Sequence, residues 1–490
     1  MLLFIQLFSI LSFCTASVFV CPPGGVHYDP PQNLSLVTTF PPGNSDSSLP
    51  AEFSCSFQIN VPPGLFANVD VNFLPDYRLN GTAEFVVTDQ SNFSETFTTT
   101  ARYENFFFLA NGGKVTVSTG NSEVSFNLRV VWKALPAVFN PIPIQLNASS
   151  AEPSTIFIKN AEEAYLVTAD TRVSVLTLPP SYGFQNSILR GIYVYDGPTW
   201  NSTLLGSAMR LWRSNNQWVS TGNQLTLRFL YSDSGYHSTW IVLQDYENTK
   251  HIVSYQCGFC PYDISVGFVD CQFTLDNLLG TSAVMTSGYS ETITHLDGNG
   301  TVDVYNGGIT QSKINLLSSY SAQNAGLSIP QEFAGPIRTY VLEGVHSKAV
   351  LNLTQSAQNN ISPVGAKKFF MSRYYPQLHT GQYLSGWVSP PNHTWVTFSF
   401  RIQWADMAKN STLRITVYGE EIGKYSYHKT FTASNPPPIN QTINSQGNAM
   451  SVYLDSYEGE STGLFMEYEV LKLGSNNFYW LVFAFILFFV

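Results

Sequence analysis

Three groups of residues in this sequence have the types and spacing for chemistry. Cys257-x-x-Cys260, followed by Cys271, is the first. A zinc site would take these three thiolates and a fourth ligand, for which His251 is the near candidate. A redox dithiol of this spacing belongs on a βαβ fold. In an exported, strand-rich chain the same cysteines read as disulfide formers, with one of the three left free or paired between chains. The second group is HLDGNGTVDVYN, residues 295–306, where Asp297, Asn299, Gly300 and Asp303 fall at positions three, five, six and nine of a calcium loop. His295 and Asn306 occupy the first and twelfth positions, where such a loop needs carboxylates. A hairpin turn is the expectation there. The third group is the aromatics gathered between Tyr193 and Trp218. Tyr193 and Tyr195 alternate along one strand, with Trp200, Trp212 and Trp218 beyond. Aromatic faces pack on sugars and anchor interfaces, so any of these left on loops would suit binding.

Enzyme signatures are missing. There is no Gly-x-Ser-x-Gly elbow, His-Glu-x-x-His or phosphate-binding loop. The paired carboxylates Glu162-Glu163 and Glu420-Glu421 are adjacent, so on strands they face opposite sides. The chain is read as non-enzymatic, with no cofactor and no metal.

The elements that must position these residues are strands. Charged residues make up 12% of the 490 and aromatics 14%. Half-buried pleated faces favour such aromatic and β-branched side chains. No sustained helical apolar period appears outside the two ends. Period-2 runs such as KVTVSTG, EVSFNLRVVW, QLTLRFLYSD and WVTFSFRIQW are separated by turn residues. That pattern predicts an all-β fold of tandem antiparallel β-sandwich modules. The net charge of −10, with no Lys/Arg cluster, excludes nucleic acid as a partner.

Both ends carry targeting signals. MLLFIQLFSILSFCTAS has the length of a signal-peptide core, with cleavage expected after Ala16; the basic n-region is missing. The apolar end, Phe478 to Val490, is short of the roughly 20 residues a helix needs to span a bilayer. Gly474, Ser475 and Asn476 precede it, a combination resembling a signal for glycolipid (GPI) attachment. A short tail anchor and a plain terminal strand are the alternatives. Cys21 and Cys55 suit a disulfide in an oxidising compartment. Eleven Asn-x-Ser/Thr sequons, at Asn33, Asn80, Asn92, Asn147, Asn201, Asn299, Asn352, Asn360, Asn392, Asn410 and Asn440, predict a glycosylated surface.

Landmarks repeat along the chain. Pro-Pro pairs begin at Pro62, Pro179 and Pro390, each read as standing just before a strand. IYVYDGP, VDVYNGG and LRITVYGEE are strands ending in a turn, and STGNQLTL and SQGNAMSV place Gly-Asn before a later strand. The reading is four modules of about 100 to 115 residues, a normal size for one domain. They span 17–136, 147–248, 252–362 and 366–472, between the signal peptide (1–16) and the tail (474–490).

IYVYDGPTWNSTLLG with STGNQLTLRFLYSDSGYHSTW resembles a CUB domain, an extracellular jelly-roll-like sandwich. Asp196, Gly197, Leu204, Leu205, Gly206, Ser232 and Asp233 match its pattern. The first module, from Cys21-Pro-Pro-Gly through Cys55, is similar to the nematode CUB-like family of secreted, pathogen- and stress-responsive proteins. The match departs in one respect: CUB modules carry two disulfides, and the second module has no cysteine. The resemblance implies a calcium site of a Glu and two Asp. Arg190 stands where the first ligand should be, so Asp196 and Asp233 are read without calcium.

The two ends and the sequons predict a GPI-anchored or secreted glycoprotein on the extracellular face of the plasma membrane, and the resemblance implies a role in innate immune defence at an epithelial surface. Its partners would be extracellular proteins or glycans, microbial surfaces among them, and the outer membrane leaflet through the lipid anchor. A structural or adhesive matrix protein is the alternative.

Overall fold

The structure, a computed structural model, describes residues 19–473 apart from 44–46, 76–81, 99–102, 137–139, 150–153, 158–163, 179–186, 231–239, 259–261, 264–266, 269, 288–289, 324, 336, 355–359, 377 and 420–423. Two compact units divide it, residues 1–137 and 138–490.

The first unit is one β-sandwich. Its first sheet runs, in hydrogen-bonded order, Val26–Tyr28, Ser54–Ile59, Gly113–Ser118, Glu84–Thr88 and Ser94–Phe97. The second runs Thr38–Phe40, Val124–Ala134, Leu65–Pro75 and Tyr103–Phe108, with Ser47–Leu49 also on Val124–Ala134. Alternation writes the core. Phe126, Leu128, Val130 and Trp132 recur every second residue and are fully buried. Cys21 and Cys55 are bonded, their Cα atoms 5.4 Å apart, against this core.

The second unit holds three more sandwiches. In the first of these, one sheet runs Ile142–Leu146, Ala164–Ala169, Gln224–Phe229, Ile192–Asp196 and Thr203–Ser207. The other runs Ser154–Phe157, Trp240–Asp245, Val173–Leu178 and Trp218–Val219. The third sandwich pairs Ile252–Gly258, Thr281–Ser287, Ile337–Glu343, Thr301–Asn306 and Leu316–Ser321; its other sheet is Cys271–Asp276, Lys348–Thr354, Ser290–Gly298 and Gln331–Ala334. The fourth pairs Asn360–Ile361, His379–Ser389, Ala449–Ser461, Thr412–Tyr418 and Tyr425–Thr432; its other sheet is Lys367–Met371, Gly463–Leu471, Val396–Asp406 and Thr442–Gly447.

The four sandwiches share one topology. Counting nine strands along each, and leaving out Ser47–Leu49 and the small hairpin Tyr262–Asp263/Gly267–Phe268, the sheet orders are always 1-3-8-5-6 and 2-9-4-7. Strands one and three always pair parallel. The turn landmarks hold under this count: IYVYD, TVDVYN and TLRITVY are all fifth strands, and the Gly-Asn segments lead into eighth strands.

Three expectations change. Pro62 and Pro390 precede fourth strands, whereas Pro179 follows one, so the Pro-Pro spacing compared unlike places. The first strands Ile142–Leu146 and Asn360–Ile361 lie ahead of the expected starts at 147 and 366, because they pair with third strands of their own sandwiches. The turn at Asn299-Gly300 is not a hairpin. Ser290–Gly298 and Thr301–Asn306 belong to opposite sheets, and the turn carries the chain between them. Gly300 there has φ +90°, which favours glycine. Asn299 clasps Lys348, its N–H donating to the carbonyl and its Oδ1 accepting from Lys348 N.

Within the second unit the sandwiches join by packed seams. Leu176, Leu178 and Val242 of the second sandwich share a core with Tyr255, Ala283, Met285, Tyr305, Ile337 and Val341 of the third. Gln244 Nε2 donates across that seam to the carbonyl of Ile309 at 2.6 Å. The third and fourth meet where the Gln331 side chain hydrogen-bonds both backbone groups of Phe369 and where Phe333 meets Phe369 edge-on at 5.4 Å.

Candidate binding face

Directly opposed residues in an antiparallel ladder share one face. In the fourth sandwich the outer face of the five-stranded sheet therefore reads in rows. Trp387 stands opposite Ser451, Ser451 opposite Thr416, and Thr416 opposite His428. One row over, Ser385, Tyr453, Arg414 and Thr430 align; beyond them come Tyr383, Asp455 and Thr412. On the other side Ala449, Tyr418 and Tyr425 align. The inward positions between them, Leu413, Ile415, Val417, Met450, Val452 and Leu454, are at most 1% exposed.

The rings form a contiguous band. Trp387 lies 4.9 Å from Tyr418 between centroids, Tyr418 5.7 Å from Tyr425, and Tyr425 stacks on His428 at 5.1 Å. Tyr383 meets Tyr453 edge-on at 5.7 Å. Trp387 is 44% exposed, Tyr425 52% and Tyr383 39%. Hydroxyls fix the rings: Tyr418 and Ser451 share a hydrogen bond of 3.2 Å, and His428 Nδ1 with Thr416 Oγ1 one of 3.0 Å. Arg414 is exposed in the middle of the face with no carboxylate partner among the described residues. The arrangement can stack on flat apolar ligand surfaces, hydrogen-bond hydroxyls and take a negative charge.

A cleft of about 360 Å³ between the third and fourth sandwiches is less suited. Four of its five charged side chains already pair, Arg401 with Glu467 at 3.0 Å and Lys367 with Glu469 at 3.8 Å.

The residues singled out in the sequence fall elsewhere. Tyr193 and Tyr195 are buried, at 1% and 5% exposure, with burial pushing the Tyr195 hydroxyl up to about 12. Trp200, Trp212 and Trp218 are half-buried, Trp200 under the Arg228 guanidinium and Trp212 under that of Arg213. Asp196 Oδ1 accepts the Thr221 N–H at 2.9 Å, and Gly197 has φ +136°, both turn roles. Arg190 is buried, and Asp233 lies outside the described residues. Among the described residues no group of three His, Cys, Asp or Glu could hold a metal.

Cys271 is disulfide-bonded and Cys257 is free, with burial pushing its thiol up to about 12; Cys260 lies outside the described residues. Eight of the eleven sequon asparagines are exposed; Asn352 is half-buried on a strand, its Oδ1 accepting from Gln272 at 3.0 Å. Asn80, the side chain of Asn360, and Gly474, Ser475 and Asn476 are not described. No helix among the described residues is long and apolar enough to cross a membrane.

The aromatic face was missed because its residues are scattered through sequence. The signal available was Tyr383-x-Ser385-x-Trp387, two aromatics four residues apart and so on one side of a single strand.

Residues 16–136 match the CUB-like domain. Residues 145–230 and 247–356 match two models each described as a domain of unknown function (DUF7592 and DUF7591). No curated protein matches the chain. Similar solved structures include the CUB1-EGF-CUB2 domain of human MASP-1/3 and the CUB1-EGF-CUB2 domains of rat MASP-1. Each is 12% identical with a TM-score of 0.16 and covers 42% of this chain; 98% and 97% of those chains are covered. Through residues 16–136 the chain carries a CUB-like domain, a kind of domain that is generally non-catalytic and suggests extracellular recognition or adhesion.

Proposed function

We propose that this is a secreted, N-glycosylated recognition protein built from four CUB-like sandwiches. The signal peptide is 1–16 and the modules follow the boundaries 17–136, 147–248, 252–362 and 366–472, the second and fourth extended back to take in their first strands. A glycolipid added near Gly474, Ser475 or Asn476 holds the mature chain to the outer leaflet. Glycans occupy the exposed sequons. The protein acts in defence at an epithelial surface, by recognising extracellular proteins or glycans, those of microbes included.

The observation that carries recognition is the open face of the fourth sandwich, where rings and a free guanidinium stand in solvent on a rigid sheet. The test is attachment of the full chain to bacteria and to epithelial cells. Replacing Trp387 and Tyr418 by Ala should abolish attachment. Trp404→Ala, at an equally exposed ring on the other sheet, should leave it intact. Equal loss from both variants would end the reading. Phospholipase release from cells checks the anchor: protein that stays bound after the enzyme has no glycolipid. The packed seams of the second unit favour one alternative, a structural matrix role, which constitutive expression without response to bacteria would support.

A further inference from the structure

We infer that the open face of the fourth sandwich binds an acidic carbohydrate, a pyranose chain bearing carboxylates or sulfates. The inference rests on the recognition reading above and names its ligand.

The chain itself supplies the contrast that separates a sugar from a protein partner. The matching sheet of the third sandwich docks on a protein surface, the second sandwich. Its contact side chains are mainly aliphatic or sulfur-bearing, Ala283, Met285, Ile337 and Val341, with the rings of Tyr255 and Tyr305 among them. In the rows of the open face the only aliphatic residue is Ala449, which is 2% exposed; Ile361 stands at the edge of that sheet, opposite Ser389. Rings alternate with Ser385, Ser451, Thr416 and Thr430 instead. A pyranose shows an apolar C–H face and a rim of hydroxyls. Rings take the first and side-chain hydroxyls take the second.

Charge selects the class of sugar. Arg414 sits centrally between Tyr453 and Thr430, exposed, without an ion-pair or hydrogen-bond partner among the described residues. The nearest carboxylate along the rows, Asp455, takes the Tyr453 hydroxyl at 3.5 Å. A free guanidinium on a chain of net charge −10 is a local positive spot. Its planar fork matches a carboxylate or sulfate bidentately. The band from Trp387 to Tyr425 crosses three strand spacings, ~14 Å, so the site fits several linked sugars. Of the protein's own sequons in this sandwich, Asn392, Asn410 and Asn440 lie on connecting turns, and Asn360 lies on the edge strand opposite the inward Val388, its side chain outside the described residues.

The experiment uses the full secreted chain in affinity electrophoresis through gels containing polygalacturonate, chondroitin sulfate or neutral dextran. The wild type should be retarded by an acidic polymer and not by dextran. Polygalacturonate alone would assign a carboxylate, chondroitin sulfate alone a sulfate. Arg414→Gln and Trp387→Ala should each weaken retardation about ten-fold, with Arg414→Lys keeping part of it. Lys429→Gln, an exposed cation opposite the inward Ile415 rather than on the face, should change nothing. Melting curves of these variants should overlay the wild type. Dextran binding equal to the acidic polymers, indifference to Arg414→Gln, or equal loss from Lys429→Gln would overturn the inference. Should no polymer bind while Trp387→Ala still abolishes cell attachment, the carbohydrate falls and the recognition reading stands.

Discussion

The third and fourth sandwiches use one sheet in opposite ways. Their fifth strands both carry a tyrosine just after a bulge near the turn, Tyr305 and Tyr418, which sets the two faces in register. One row away, the third sandwich has Ala283, Val341 and Asp303 in line; the fourth has Trp387, Ser451 and Thr416. A methyl group at Ala283 lets Leu176 and Leu178 close over the sheet. An indole at the same place stands out and blocks such an approach. The difference teaches that a face is closed or kept open by one side chain at a fixed point of a repeated frame. Their interiors differ too. The third buries Arg338 completely and matches it with Glu291 at 3.2 Å, which also accepts from Tyr340 at 2.6 Å and Thr286 at 2.7 Å. The fourth buries Lys368, 4% exposed, whose one partner among the described residues is the Ile361 carbonyl at 3.4 Å.

The largest test breaks the matched interior. Glu291→Gln leaves a buried guanidinium uncompensated and should cost about 4 kcal/mol in urea unfolding. A loss under 1 kcal/mol would show that the pair does not hold the third core. Ala283→Trp should come next. It overfills the seam, costing about 3 kcal/mol, and should expose the seam to hydrogen exchange while the fourth sandwich stays protected.

Lys368→Met should instead stabilise. Burial lowers the lysine from 10.5 to about 8, so the folded state binds its proton less well than the unfolded one. The handicap is fully present below pH 8 and fades as pH rises to 10.5. The gain at pH 7 should approach about 3 kcal/mol and vanish above pH 10.5, read from unfolding midpoints across pH. A gain that does not change with pH would point to packing alone. Smallest is Trp387→Ala, expected within about 0.5 kcal/mol of wild type because nearly half of the ring is in solvent and it lies outside the core. A larger loss would mean the indole props the sheet rather than waiting for a ligand.

Much of the fold was legible. Period-2 alternation fixed strands such as Val124–Ala134, and the tyrosine-then-turn and Gly-Asn landmarks marked equivalent strands. Cys21 and Cys55 pair as their compartment suggested. Proline pairs misled because Pro can stand in either loop flanking a fourth strand. The turn at Asn299-Gly300 misled because turn residues report a reversal and not which sheet receives the chain. The binding face was hardest. Alternation puts Trp387 and Met285 alike on one side of a strand; whether that side meets solvent depends on a neighbouring sandwich dozens of residues away. Trp200, Trp212 and Trp218 drew attention by clustering in sequence, yet their rings are half covered.

The two seams also differ in kind. Between the second and third sandwiches, a 2-9-4-7 sheet meets a 1-3-8-5-6 sheet, a contact of unlike surfaces. Such head-to-tail joining can be repeated without limit. Between the third and fourth, Gln331 and Phe333 on a seventh strand meet Phe369 on a second strand, joining two sheets of the same kind at their edges. Under the first rule the third sandwich's 2-9-4-7 sheet would cover the aromatic 1-3-8-5-6 face of the fourth. The edge joint leaves that face bare, and the surface that would have been mortar becomes a window.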